Sequence, residues 1–272
     1  MNPIKVDAKK CLRDGVCVAE CPMRLIELKG GSPVPTTVVG GEARCIKCGH
    51  CVAVCRAGAL SIDGMKADDC PPVPAGMSAA AAEGFLRARR SIRVYRDKPV
   101  EREKLARLIE VARYAPTGSN SQRLGWIVIG SRERVKTLAG MVVDFFRHLA
   151  ASGSPLAGSY RLGDRVAAWD SGIDVISRGA PALVAAHAPK EYGLGTVDCA
   201  LALTYLDLMA PSLDLGSCWG GFFMMAAAHW PPLQQALGLP EGHACHGVMM
   251  VGYPKFAYYR LPMRNPPTIQ WK

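Results

Sequence analysis

The stretch Cys45-Ile46-Lys47-Cys48-Gly49-His50-Cys51-Val52-Ala53-Val54-Cys55 decides how this chain is read. Its cysteines follow the spacing C-x2-C-x2-C-x3-C, and three thiolates two residues apart can wrap one iron–sulfur cubane corner to corner. Earlier in the chain Cys11-x2-Asp14-x2-Cys17-x3-Cys21-Pro22 repeats the frame with aspartate in the second slot. Each half runs on into a short apolar strand, expected at Leu25–Leu28 and Leu60–Ile62, as two half-domains related by a pseudo-two-fold axis would.

The frame resembles that of bacterial two-cluster ferredoxins, in which three cysteines of one run hold a cluster and the fourth reaches across to the other. On that pattern Cys45, Cys48, Cys51 and Cys21 hold one [4Fe-4S] cluster, and Cys11, Cys17, Cys55 and Asp14 surround the second. As a ligand Asp14 would be a hard carboxylate on iron; as a non-ligand it would leave a vacant corner and favour a three-iron [3Fe-4S] cluster. A solvated turn aspartate beside Gly15 is the plainer role. A zinc ribbon needs two CxxC pairs around one tetrahedral ion and would leave three of these cysteines unused. Seven of the eleven cysteines fall between Cys11 and Cys55, and Cys70, Cys199, Cys218 and Cys245 are scattered singly. In a reducing compartment that distribution suggests metal ligation before disulfides. Arg56 stands where the first half has Pro22 and would place a positive charge near a cluster. His50 is expected to tune a cluster and not to ligate it.

At 272 residues the chain has room for one or two domains. Its 49% hydrophobic and 21% charged content fits a globular protein and excludes a mainly disordered one. No apolar run reaches the roughly 18 residues of a spanning helix. The first residues, Met-Asn-Pro-Ile-Lys-Val-Asp, lack the apolar stretch of a secretory signal, so a cytoplasmic location is expected. The net charge of +10 is spread without a long basic block, which fits a cleft for an anionic ligand as well as it fits nucleic acid. We therefore expect a ferredoxin-type domain over 1–65, a linker over 66–82 punctuated by Pro71, Pro72 and Pro74, and a larger domain over 83–272. In the last, the apolar spacing predicts an amphipathic helix over 101–113 and a nearly all-apolar helix capped by Thr196 and ending near Ala210. That helix is expected to be buried centrally or against a second subunit. Strands are expected at 126–129, 182–186 and 247–251, and an extended tail from Leu261.

Four motifs of the larger domain occur in an order that resembles the FMN-dependent nitroreductase family. They are Arg89-Arg90-Ser91-Ile92-Arg93, Ala115 to Gln122, Leu215 to Gly221, and Val251-Gly252-Tyr253-Pro254 leading to Arg260 and Arg264. The resemblance covers about residues 85–272 and implies an α+β fold with a central mixed sheet flanked by helices. It also implies a homodimer with FMN at the subunit interface. Arginines suit a flavin phosphate, a dianion that takes planar, multiply donating guanidinium groups. The cofactor-binding candidates are therefore Arg89, Arg90, Ser91, Arg93, Arg260 and Arg264, with Asn120 and Gln122 for the ring edge and Gly220 and Gly221 for close backbone approach. No dedicated catalytic side chain is expected. The sequence departs from the family at Arg123-Leu124 and over 140–180, where Arg161, Arg165 and Trp169 would form a substrate lid. His243, Cys245 and His246 are expected to be structural, and Cys218 to be a packing residue.

Together these features predict an iron–sulfur flavoprotein oxidoreductase. Electrons would pass from a reduced ferredoxin, flavodoxin or NAD(P)H through the clusters to FMN, and thence as hydride to a nitroaromatic, quinone or activated alkene. Two other readings compete: an electron-transfer subunit that relays electrons to a partner enzyme, and a metal-stabilised nucleic-acid binder.

Overall fold

The structure, a computed structural model, describes residues 4–272; Met1 to Pro3, the start of the segment read for a secretory signal, lie outside the described residues. The chain divides into two compact units, residues 1–77 with 117–121, and residues 78–116 with 122–272.

The first unit is built twice over. Strand β1 (Ile4–Val6) precedes helix α1 (Val16–Glu20) and β2 (Ile26–Glu27), and β3 (Thr36–Thr37) precedes α2 (His50–Ala53) and β4 (Leu60–Ile62). β1 pairs antiparallel with β4, Ile4 opposite Ile62, and β2 pairs antiparallel with β3. The two halves repeat the same backbone. Arg13 and Lys47 occupy equivalent places in the left-handed region (φ 56° and 51°), Gly15 and Gly49 follow at φ 72° and 77°, and a short helix starts after each glycine. Ile4, Ile26, Val52, Leu60 and Ile62 close a small core with Cys17 and Cys51. The first apolar strand is shorter than expected, two residues where four were anticipated.

The segment 66–82 contains a short 3-10 turn over Ala67–Asp69, and its last residues are helical, where irregular chain is expected. Helix α3 (Ala79–Ala88) begins there because Ser78 caps it, its Oγ accepting from the Ala81 N–H at 3.2 Å.

The second unit is a sheet between two helical layers. Helix α4 (Arg102–Ala112) leads to β5 (Gly125–Ile129), and α5 (Arg132–Ala151), α6 (Pro155–Ser159) and α7 (Leu162–Asp170) lead to β6 (Ala182–Pro189). Then follow α8 (Gly195–Met209), β7 (Gly216–Trp219), α9 (Gly221–His229), α10 (Pro231–Leu237) and β8 (His243–Gly252). The strand order is β5-β6-β8-β7. Leu183 and Ala185 of β6 pack with Leu138, Val142 and Phe146 of α5, Phe223 of α9 and Leu233 of α10, whereas Val184 and Ala186 pack with Leu108 of α4 and Leu203 of α8. Strand β6 is therefore buried on both faces, which explains its unbroken apolar run.

The α+β class holds, but all three pairings of the sheet are antiparallel, where a mixed sheet is expected. A connection that leaves along one helix and returns along another re-enters the sheet at the end it left, so helical crossovers need not make neighbours parallel. A second correction concerns Thr196. Leu194 occupies the cap position of α8, and the Thr196 hydroxyl lies inside the helix, 3.0 Å from Nδ1 of His246.

At Gly247 of β8 the sheet touches α8 so closely that an added Cβ would stand 2.2 Å from Leu203 Cδ1 and 3.0 Å from Trp219 Cζ3. Overpacking of this kind costs about 1–3 kcal/mol. Gly247→Ala is expected to lower stability by that amount in chemical denaturation, and an unchanged midpoint would refute the close contact.

Candidate functional site

In the first unit the frame residues gather into two separate cavities. Cys21, Cys45, Cys48 and Cys51 line one, together with Ile4, Leu25, Ile26 and Ile62. Cys11, Asp14, Cys17 and Cys55 line another with Val6, Val16 and Leu60. The last cysteine of each half lines the cavity of the other half's cysteines. Where each crosses, a backbone donor meets its sulfur: the Leu25 N–H donates to Cys21 Sγ at 3.3 Å and the Ala59 N–H to Cys55 Sγ at 3.4 Å. Asp14 faces its cavity and also caps a turn, its Oδ1 accepting from the Val16 N–H at 3.3 Å.

The grouping reappears in the electrostatics. Burial, with Cys48, Cys21 and Cys45 adding to it, pushes the Cys51 thiol up to about 11. Burial also raises the Cys17 thiol, reinforced by Cys55, Cys11 and Asp14. Four such ligands cannot ionise together without a cation among them. Among the described residues, no three His, Cys, Asp or Glu side chains converge as they would on a single ion. A zinc site draws its thiolates to about 2.3 Å of one point, whereas a polyatomic cluster holds them apart around a cage. The donor set and spacing therefore fit iron–sulfur clusters. His50 stays exposed, 3.4 Å from Glu20 Oε1.

In the second unit the expected flavin residues divide between two cavities. Arg89 and Arg90 line one of about 590 Å³ with Arg96, Lys98, Lys104, Asp207, Asp214 and Tyr253. Asp207, buried on α8, receives Arg89 at 3.3 Å and the Ser217 hydroxyl at 2.5 Å. Arg90 folds back on the end of α3, donating to the carbonyls of Arg87 and Arg89, and its Nε is buried without a partner among the described residues. A buried guanidinium nitrogen left over beside a cationic cavity fits an anionic ligand. At the rim, Tyr253 donates to Glu101, whose carboxylate that bond, followed by Lys98, holds down at about 2.

Arg93, Gly220 and Gly221 line a different cavity of about 290 Å³ with Tyr160, Ile176, Arg178, Cys218, Trp219 and Met250. Gly221 has open space where a Cβ would stand. Ser91 is half-buried, its carbonyl 3.5 Å from Arg93 Nη1. From the 140–180 segment only Tyr160, Val175, Ile176 and Arg178 border this cavity. Trp169 instead packs on the core near Gly140, and Arg161 pairs with Asp164 at 2.6 Å on the surface.

The other candidates lie apart. Asn120 belongs to the first unit, where its Nδ2 donates to the carbonyls of Ile46 at 3.1 Å and Lys47 at 3.2 Å. Gln122 is exposed with φ 50°. Arg260 and Arg264 lie on the exposed C-terminal tail. The triplet near 245 is structural, as expected: Cys245 is buried in the core and His246 meets Thr196. His243 pairs through Nδ1 at 2.8 Å with His187, a partner that sequence reasoning missed. Asp207 was also missed as a site residue, although a carboxylate inside an apolar helix is a visible signal.

The crossed ligand sets make a specific prediction. Cys21→Ala is expected to remove the cluster of Cys45, Cys48 and Cys51, and Cys55→Ala the other, each roughly halving bound iron. Iron and sulfide analysis with electron paramagnetic resonance would check this, and loss of the same cluster in both variants would refute the crossing.

Residues 86–253 match the family model described as Nitroreductase family, and residues 3–56 match that of a 4Fe-4S dicluster domain. The chain is 26% identical over 175 residues to a protein of Archaeoglobus fulgidus named as a candidate NADH dehydrogenase/NAD(P)H nitroreductase, covering 63% of this chain and 84% of that one. An FMN-bound nitroreductase from Bacteroides fragilis superposes with a TM-score of 0.60 at 23% identity, over 71% of this chain and 98% of that one. Another, from Desulfitobacterium hafniense, gives 0.56 at 23% identity, over 72% and 99%. The chain thus belongs to the nitroreductase family of oxidoreductases and carries a 4Fe-4S dicluster domain at its amino-terminal side.

Proposed function

We propose that this protein is an iron–sulfur flavoprotein that takes electrons from a low-potential donor and reduces a small electrophile such as a nitroaromatic, quinone or activated alkene. The observation that carries this reading is the pair of four-residue ligand sets, each around its own cavity, in a chain whose remainder is a nitroreductase. When bound, the clusters supply one-electron transfer and FMN supplies two-electron hydride chemistry.

The chain's own residues then have separate duties. Residues 1–65 act as the electron-transfer domain and 83–272 as the flavin domain, with 66–82 as a tether that replaces diffusional encounter by a high effective concentration. Arg89, Arg90, Ser91 and Arg93, joined by Arg260 and Arg264, supply the donors and positive charge for the flavin phosphate. Gly220 and Gly221 leave room for a ring, and Gln122 lies where the chain enters β5. Substrate protons come from solvent.

A second copy of the chain would complete the site. Helix α8 buries Cys199, Leu203 and Leu206 but exposes Val197, Leu201 and Tyr205, one apolar stripe at four-residue spacing. The tail exposes Leu261, Met263, Ile269 and Trp271. Both features suit a homodimer in which each tail lies on its partner. Among the described residues no helix is long and apolar enough to cross a membrane, and we place the protein in the cytoplasm. The name of the Archaeoglobus relative makes NAD(P)H an alternative donor to reduced ferredoxin or flavodoxin.

Anaerobically purified protein is expected to contain iron, acid-labile sulfide and FMN, and to reduce a nitroaromatic with reduced viologen as donor. Absence of all three components would overturn the proposal. Full cofactor content without turnover would favour an electron-transfer subunit that serves a partner enzyme.

A further inference from the structure

The two cavities of the first unit differ in the charge that surrounds them. Within two residues of Cys11, Asp14, Cys17 and Cys55 stand four basic side chains, Lys9, Lys10, Arg13 and Arg56, with Asp14 as the one acid. Within two residues of Cys21, Cys45, Cys48 and Cys51 stand Arg44 and Lys47, with Glu20, which meets His50.

The two-fold repeat accounts for the difference. Arg13 and Lys47 hold equivalent places, at φ 56° and 51°. Lys47 pairs with Asp63, eight positions after Cys55. Eight positions after Cys21 the first half has Lys29, a like charge, and Lys29 is itself paired with Glu27. Among the described residues neither Arg13 nor Arg56 forms a salt bridge. All four basic side chains are exposed. Leu12 and Arg13 line the Asp14-side cavity, and Arg56 stands between two of its lining residues, Cys55 and Ala57. Leu12 is 56% exposed, an apolar point among the cations. An apolar centre with a charged rim is the make-up of a protein interface, and unpaired positive charge steers a partner of opposite sign. An electron passes between proteins only across a short gap, so the face that docks a carrier must lie beside a cluster.

We propose that this face docks an acidic one-electron carrier protein and that electrons enter at the Asp14-side cluster. This rests on the two-cluster reading above and names its partner surface. One electron leaves the reduced carrier, which is oxidised by one step, and enters that cluster, whose charge becomes more negative by one; no bond forms or breaks.

The probe is an acidic bacterial flavodoxin, used oxidised for calorimetric binding and as hydroquinone for stopped-flow reduction of the full-length holoprotein. Arg13→Asp with Arg56→Glu reverses the face, and aspartate tolerates the left-handed region. Arg24→Asp with Arg44→Glu is the matched control on the all-cysteine side, Arg24 having φ 51°. At low salt the first pair is expected to weaken binding and slow reduction by about tenfold or more, and to remove most of the ionic-strength dependence. Reduction by methyl viologen, a cation, is not slowed, and the control pair behaves as wild type. If the face variant lacks its full iron, Arg13→Asn with Arg56→Gln is expected to give a smaller loss of the same kind. Equal losses in the control, no loss in either face variant, or slower reduction with unchanged binding would overturn the proposal. So would wild-type protein that holds two clusters yet neither binds flavodoxin nor takes its electrons. Wild-type protein without two clusters would instead remove the reading on which the proposal rests.

Discussion

The constraint on which the first unit depends is that thiols crowded around a cavity cannot all lose their protons unless positive charge enters among them. Cys51 and Cys17 are each raised by burial and by the other ligands of their own set. Their small core, barely a layer of isoleucine, leucine and valine, offers limited hydrophobic stabilisation. Cys17 and Cys51 line the cavities and also complete the core.

The second unit meets a different requirement. Its sheet is sandwiched, so the central strand β6 must be apolar on both faces and small enough to admit helices on either side, which Ala182, Ala185, Ala186 and Ala188 provide. Two buried carboxylates in this interior are compensated by neighbours. Asp207 meets Arg89 and Ser217, and Asp198 meets Tyr192 at 2.5 Å. The Asp207 pairing connects α8 with the Arg89 segment and β7, all of which border the cavity of Arg89 and Arg90.

Division of the arginines between two cavities has a physical reading. A single chain presents Arg89 and Arg90 in one place and Arg93 with Gly220 and Gly221 in another, while Arg260 and Arg264 extend on an exposed tail. A tail bearing Met263 at 95% and Trp271 at 89% exposure has not found its apolar partner within its own chain. On α8 the stripe of Val197, Leu201 and Tyr205 is exposed likewise.

Much of the first unit was legible in the sequence, because ligand spacing is local and the repeat writes it twice. The frame grouped the cysteines, Cys21 with Cys45, Cys48 and Cys51, and Cys55 with Cys11 and Cys17, as they line the two cavities. Arg89, Arg90 and Gly221 of the family motifs also border cavities. What the sequence by itself determined was what short-range spacing sets: the cysteine frame, apolar periods and glycines at left-handed turns. Only the tertiary structure decided pairings between distant residues. Arg89 with Asp207, His187 with His243 and the sense of the sheet depend on how separated segments meet. A donor such as a guanidinium carries no mark in the sequence of which carboxylate it will find; that is settled by the buried surface that brings the two together.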